Sequence, residues 1–303
     1  MSKTILVTGA AGFIGRHVAA AYAMRGMRVV GIGRGDLIDW AQYGLSEWHR
    51  VEITLENLTK YAGTPDVIVH CAGGSSVGIS MQQPYLDFIQ TAQSMAQVLE
   101  FMRLYAPQAK LIYPSSAAVY GQTAHLPISE NEPLRPISPY GVYKKIAEDL
   151  CRLYSEQYNI SIAIIRLFSI YGPGLRKQLL WDACLKFSTG ERKFFGTGSE
   201  IRDWLHVNDV VELIIVAAAH ASSKCPVVNG GMGVGITVRD ILMQLSACFE
   251  QAKKLEFSGK SRAGDPIGYQ ADISLAQSWG WEPQIDLGKG LNDYAKWFKR
   301  IET

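Results

Sequence analysis

Thr4-Ile5-Leu6-Val7-Thr8-Gly9-Ala10-Ala11-Gly12-Phe13-Ile14-Gly15 is the stretch on which the fold turns. Residues 4–8 form a short apolar, β-branched run, the pattern of a strand buried on both faces. Three spaced glycines follow at once, and a helical period runs over about 13–26. Glycine here lets the chain turn tightly, bring backbone N–H groups to a pyrophosphate and pack the helix close to the strand. The phosphates then sit at a helix N-terminus. A glycine triplet alone also makes an ordinary strand–helix turn. Its place directly between strand and helix favours dinucleotide binding, with Gly9, Gly12, Phe13, Ile14 and Gly15 at the cofactor.

Working outward, the same alternation repeats. Runs 28–32, 66–70, 109–114 and 160–165 are rich in Val and Ile, and helical patterns lie near 54–62, 81–105 and 139–158. Strand–helix alternation predicts right-handed βαβ units and an α/β fold with a doubly wound parallel sheet of the Rossmann type. After residue 168 Gly and Pro cluster at 172–174, 196–198, 230–235 and 264–268, and amphipathic helices are expected near 236–250 and 287–301. The expected division is a dinucleotide-binding domain over 1–168 and a smaller α/β substrate region over 169–303, with about 204–229 returning to the sheet.

Composition narrows the class. The 303 residues are 48% hydrophobic and 19% charged, which excludes disorder as the main state. Lys plus Arg exceed Asp plus Glu by 30 − 28 = +2, too small a surplus for a nucleic-acid scaffold. Cys71, Cys151, Cys184, Cys225 and Cys248 are scattered and contain no C-x-x-C, so neither a disulfide framework nor a metal site is expected. Two stretches without Asp, Glu, Lys or Arg, 67–86 and 111–129, are too rich in Gly, Ser, Gln or Pro to span a membrane. Gly9, Gly12, Gly15, Arg16 and His17 break up any secretory leader, so a cytoplasmic protein is expected.

The second strand bears on the cofactor. NAD-binding folds usually end that strand in an acid that holds the ribose hydroxyls. Here it ends in Gly33-Arg34. Gly33 leaves room for a 2′-phosphate and Arg34 carries the charge to hold one, so NADP is expected, with NAD as the alternative. Asp36 is a rival ribose ligand, and Arg34 is also readable as a solvated loop residue.

Two further motifs carry chemistry. In Ser138-Pro139-Tyr140-Gly141-Val142-Tyr143-Lys144, Ser138 is a good N-cap and Pro139 suits the first helical position. Tyr140 and Lys144 are then i and i+4 on one helix face. A neighbouring ammonium favours phenolate and suits the tyrosine to acid–base work. Lys144 can also hold the nicotinamide ribose. In Tyr113-Pro114-Ser115-Ser116-Ala117-Ala118-Val119-Tyr120-Gly121, a serine pair lies at the carboxyl end of the strand 109–114, where open parallel sheets bind ligands. Ser115 or Ser116 can bond a substrate oxygen there.

These motifs resemble the extended short-chain dehydrogenase/reductases, in particular the nucleotide-sugar epimerase, dehydratase and reductase group. The resemblance rests on TGAAGFIG (8–15), HCAGGSSVGIS (70–80), SSAAVYG (115–121), SPYGVYKK (138–145), RLFSIYGPG (166–174), GTGSEIRDWLHVNDVV (196–211) and RAGDP (262–266). It implies a catalytic Ser116, Tyr140 and Lys144, with Glu52 at the adenine and Ala72 and Gly73 against the cofactor. Thr91 stands about where a cofactor-contacting Asn is common. Arg202 and Arg262 match arginines that clamp a nucleotide-sugar pyrophosphate, and Ser75, Ser76, Ser116 and Ser169 fall at the sugar. Ser169 replaces the usual Asn, so the sugar nucleotide is expected to be held differently there. The resemblance also implies a homodimer through helices near 81–105 and 139–158, with no nucleic-acid or membrane partner.

The departures select among activities. Dehydratases of this group carry Asp and Glu where Ala117 and Ala118 stand, and alanine transfers no proton. Members such as GDP-fucose synthase that epimerise beside a ketone look to use Cys at position 118. What remains needs only hydride and one proton. With NADP favoured at Gly33-Arg34, the expectation is an NADPH-dependent reductase of a 4-keto, 6-deoxy nucleotide sugar. The alternative is a 4-epimerase with bound NAD, since SSAAVYG and HCAGGSSVGIS are similar to UDP-galactose 4-epimerase. A non-catalytic NADP-binding regulator is the remote third reading, against which the intact Ser116, Tyr140 and Lys144 argue.

Overall fold

The computed structural model describes residues 2–37, 39–249, 254–260 and 268–302. The first half runs β1 (Thr4–Thr8), α1 (Phe13–Met24), β2 (Arg28–Gly33), β3 (Glu47–Arg50), α2 (Leu55–Tyr61), β4 (Val67–His70), α3 (Val77–Gln82), α4 (Pro84–Phe88), α5 (Ser94–Tyr105), β5 (Lys110–Ser116), α6 (Pro139–Tyr158) and β6 (Ser161–Leu167). The second runs β7 (Ser169–Tyr171), α7 (Gln178–Ser188), β8 (Lys193–Phe194), β9 (Ile201–His206), α8 (Val207–His220), β10 (Val227–Gly230), β11 (Gly235–Thr237), α9 (Val238–Ala247), β12 (Glu256–Phe257), α10 (Ser274–Ser278) and α11 (Leu287–Glu302).

The runs of Val and Ile pair as a parallel sheet in the order β10-β6-β5-β4-β1-β2-β3. Both faces are covered, as such strands require. Val18, Tyr22, Val210 and Ile214 cover one face from α1 and α8, and Leu58, Val98, Leu99 and Ala147 cover the other from α2, α5 and α6. A third apolar cluster joins α7, α9 and α11 around Phe187, Leu242 and Phe298. Two smaller sheets, β11-β9-β7 and β12-β8, complete the C-terminal part. Among the described residues no helix is long and apolar enough to cross a membrane.

Strand order reverses between β1 and β4, where Thr8 pairs with His70. Open α/β sheets bind ligands in the crevice beyond the carboxyl ends of strands at such a reversal.

Two local expectations differ from the structure. The strand β3 is missed because Glu47-Trp48-His49-Arg50 is a half-exposed polar run at the sheet edge. The helix expected over 81–105 is broken: α3 stops at Gln82, Pro84 opens α4, and a π turn over Ile89–Gln93 precedes α5. Proline lacks the N–H that a continuing helix needs and fits the first turn of a new one.

Candidate active site

The loop after β1 is built for close approach. Gly9 has φ 70°, and its N–H reaches the Ile32 carbonyl at 2.7 Å. A Cβ on Gly9 would stand 2.6 Å from the Ala72 nitrogen, and one on Gly15 would stand 2.3 Å from the Gly9 oxygen. The turn therefore nests against Cys71 and Ala72, just past the end of β4. Helix α1 starts at Phe13 with Gly12 as N-cap and no side-chain cap bond, which leaves the first N–H groups open to an anion. This is a cradle that fits a dinucleotide pyrophosphate.

At the far end of that crevice lie Gly33 and Arg34. A Cβ on Gly33 would meet the Trp48 ring at 3.3 Å. Arg34 is not a spare cation: its Nε lies 3.7 Å from Glu52 Oε2 in an exposed pair. Beside it, Arg50 binds Asp36 at 2.5 Å and donates from Nε to the Arg34 carbonyl at 3.3 Å. Two carboxylates thus balance two guanidiniums where the sequence suggests an uncompensated arginine. The carboxylate paired with Arg34 comes from beyond β3, the strand the sequence hides.

At the other end, Tyr140, Lys144 and Ser116 come together. Ser138 caps α6 by accepting from Gly141 N at 3.2 Å, with Pro139 at its first position. One turn separates Tyr140 from Lys144, whose Nζ stands 5.9 Å from the Tyr140 ring centroid. Lys144 is buried, donates to the Pro114 carbonyl at 3.0 Å and lies 4.8 Å from the Tyr113 ring centroid. Burial pushes the Lys144 ammonium down to about 8. Burial raises the Tyr140 phenol, and a hydrogen bond with Ser116 works the other way. Ser116 Oγ also accepts from Ala118 N at 3.2 Å. Ser115 is committed elsewhere, donating to Glu148 at 2.6 Å.

The remaining expected residues divide. Gly73 lies in the site, since a Cβ there would be 3.8 Å from Lys144 Nζ. Thr91 is buried, and its Oγ1 accepts from Gly74 N at 2.9 Å, so it holds the loop after β4. Ser75 Oγ is bonded by Lys177 Nζ at 2.7 Å, and its carbonyl by Gln178 Nε2 at 3.3 Å. Ser76 caps α3 through Ile79 N. Ser169 opens β7 and pairs with Trp204 of β9. Arg202 lies on β9 and donates to the Ile201 carbonyl at 2.8 Å. Arg262 falls outside the described residues.

Several residues of the site are missed by sequence reasoning. Ser80, fully buried, accepts from Tyr140 N at 3.1 Å and fixes the start of α6. Glu148 and Arg166 form a buried pair at 2.8 Å behind the Ser115–Ser116 strand end, and Arg166 also donates to Tyr120 Oη at 3.1 Å. Lys177 crosses from the loop after β7 to Ser75, and Asp87 lies buried beneath Gly74. All are long-range contacts with no local spacing to announce them; the SPYGVYKK motif quoted for Tyr140 and Lys144 gave no reason to look at Ser80.

Comparison with known proteins follows this geometry. Residues 5–231 match the family described as NAD dependent epimerase/dehydratase family. A Methanocaldococcus jannaschii protein provisionally assigned as a UDP-glucose 4-epimerase is 30% identical, over 97% of this chain and 98% of its own. Among solved structures, a UDP-glucose 4-epimerase from Thermotoga maritima with UDP-glucose superposes with a TM-score of 0.90 at 26% identity, covering 99% of this chain and 100% of that one. A UDP-glucuronic acid 4-epimerase from Bacillus cereus, in complex with UDP-glucuronic acid and NAD, gives 0.88 at 27% identity over 98% and 99%.

These relatives overturn the expected 4-keto reductase, because each is described as a 4-epimerase. The expectation of a reductase rests on Arg34 as a phosphate ligand, and Arg34 is paired with Glu52. The fold, the Gly9–Gly15 cradle and the matched span agree: the chain is an enzyme of the extended short-chain dehydrogenase/reductase type and belongs to the NAD dependent epimerase/dehydratase family.

Proposed function

We propose that this enzyme is a UDP-sugar 4-epimerase that keeps NAD bound through the catalytic cycle. The observation that carries the reading is the acid–base group formed where Tyr140, at the start of α6, meets Ser116, at the end of β5. Tyr140 bonds with Ser116, while the neighbouring Ala117 and Ala118 offer no proton. One such group suffices when the same carbon is oxidised and then reduced, because the proton leaves and returns to one oxygen.

NAD, when bound, would supply the acceptor and then the donor of a hydride at sugar C4. The chain supplies the rest. Tyr140 accepts the C4 hydroxyl proton and later returns it. Lys144, held by the Pro114 carbonyl, presents its charge to the phenol and favours the phenolate. Ser116 donates to the same sugar oxygen. Phe13, Ile14 and Gly15 hold the pyrophosphate on the open N–H groups of the first turn of α1, and Gly9 and Gly12, whose own N–H groups bond Ile32 and Gly9, shape the turn that lets it approach. Ala72 and Gly73 leave the nicotinamide side of the crevice open. Asp36 and Glu52 are the acids at the adenosine end, and their balance with Arg34 and Arg50 favours NAD over NADP.

The sheet domain holds the cofactor in this reading, and the C-terminal region holds the UDP-sugar. Arg202 and Arg262 clamp its pyrophosphate, and Ser75, Ser76 and Ser169 line the sugar. Two copies pair through α5 and α6, which expose Leu104, Tyr105, Leu153 and Tyr158.

The test uses enzyme purified without added cofactor. UDP-glucose and UDP-glucuronate are offered separately, and products are resolved by chromatography. Conversion of either to its C4 epimer, with no cofactor consumed, is expected. Absence of both epimers from enzyme that carries NAD contradicts the proposal.

A further inference from the structure

Beneath the loop that follows β4 lies a carboxylate that the reaction above does not use. The Asp87 side chain is 4% exposed, and its Oδ2 has no hydrogen-bond partner. A buried charge without a partner is costly, so native proteins pair such groups or give them a ligand. Asp87 sits where it does because residue 74 is glycine: a Cβ on Gly74 would fall 1.6 Å from Asp87 Oδ1 and 3.2 Å from Thr91 Oγ1. One residue earlier, a Cβ on Gly73 would fall 3.5 Å from Thr91 Oγ1 and 3.8 Å from Lys144 Nζ. The carboxylate, the threonine hydroxyl and the ammonium therefore surround the Gly73–Gly74 backbone.

Among the described residues, the titratable groups around Lys144 and Asp87 leave Asp87 one cation. His70 at the end of β4 and Cys71 just after it lie by Lys144; burial takes the His70 imidazolium down to about 3 and the Cys71 thiol up to about 12, so both are neutral. From β5 comes Tyr113, whose phenol burial raises well above its usual range. From α6 come Tyr140, Lys144 and Glu148, and Glu148 is bound by Arg166 and Arg152. Lys144 is the cation left among these, donating to the Pro114 carbonyl.

We propose that Asp87 is a positioning residue for the Tyr140–Lys144 pair: its carboxylate, seated on Gly74, is the counter-charge of the Lys144 ammonium. The inference rests on the roles given above to Tyr140 and Lys144. Burial sets the direction of each group, down for Lys144 and up for Tyr140 and Asp87, and the Lys144 charge works against it at Asp87. Asp87 is among the charges that oppose the effect of burial on Lys144, and it adds to the rise of the Tyr140 phenol. Removing its charge lowers both affinities for protons. An enzyme that needs phenolate on Tyr140 and ammonium on Lys144 then shifts its whole working range toward acid.

Asp87→Asn tests this with the shape of the side chain kept. Lysine side chains are labelled with 15N, Lys144 is identified by its loss in Lys144→Met, and its titration is followed by NMR. In Asp87→Asn the Lys144 midpoint is expected to fall by about one pH unit. Both limbs of the pH profile of kcat/KM move down with it. Gly74→Ala, which puts a methyl in the space of the carboxylate, reproduces the shift, and Gly74→Ala with Asp87→Asn adds nothing further. An unmoved Lys144 midpoint in Asp87→Asn overturns the proposal. Full turnover by Lys144→Met overturns the role of Lys144 instead, and the NMR titration still decides whether Asp87 faces it.

Discussion

Tyr140 and Lys144 illustrate what one residue's surroundings do to its chemistry. Burial raises the phenol above its ordinary 10.0 and lowers the ammonium from 10.5 to about 8, so the two proton affinities are driven apart. A cationic Lys144 is present below about pH 8 and lost above it, so kcat/KM is expected to fall on the alkaline side through that value. A pH–rate profile of the purified enzyme checks the limb; a profile flat to pH 10 contradicts it. Tyr140→Phe keeps the ring and removes the proton carrier. Turnover is expected to drop ~10²–10⁴-fold, the usual contribution of such a group, with bound NAD content unchanged. These two residues are legible in the sequence because the Ser138 cap, Pro139 and the i, i+4 spacing are all local. Asp87 and Lys177 are not, because the first depends on a glycine 13 residues earlier and the second on Ser75, 102 residues away. Arg34 shows the opposite failure, a local reading that misses its pairing with Glu52 from beyond another strand.

Among elements, β4 and the β5 strand end carry buried polar links that stitch helices to the sheet. His70 on β4 bonds Thr8 Oγ1 at 2.7 Å and Ser94 Oγ at 3.2 Å. Its imidazole is held neutral, down to about 3 against an ordinary 6.5, by burial first and the Lys144 charge second. The folded value is depressed, so its contribution to stability is fully present above the unfolded value. It is lost as pH falls from about 6.5 toward 3. Thermal unfolding from pH 7.5 to 5 is expected to show a falling Tm, and His70→Asn a shallower fall; equal slopes would remove His70 as a cause. Glu148→Ala leaves Arg166 buried without its anion, which costs ~3–5 kcal/mol, and denaturant unfolding measures the loss. A loss under 1 kcal/mol contradicts the buried-pair reading. Arg34→Ala breaks only an exposed pair, and NAD content after purification is expected to stay as in the wild type; loss of NAD would return Arg34 to the cofactor site.

For the whole molecule, the alternation of Val- and Ile-rich runs with helical periods announces the parallel sheet, because strands buried on two faces leave a continuous apolar signature. Its edge strand β3, the break at Pro84 and the Glu148–Arg166 pair are decided by neighbours remote in sequence, and composition does not record them. The exposed apolar residues on α5 and α6 predict a two-fold dimer, which light scattering at micromolar concentration reports as twice the chain mass; the mass of a single chain contradicts it. In the proposed reaction one proton carrier beside a cofactor cradle serves both oxidation and reduction at the same carbon. UDP-glucose carrying deuterium at C4, incubated in ordinary water without added cofactor, tests this most directly. The account predicts UDP-galactose that retains the deuterium at C4, with no hydrogen exchanged from solvent at C3 or C5. Loss of the C4 deuterium to solvent or to a released cofactor would contradict it.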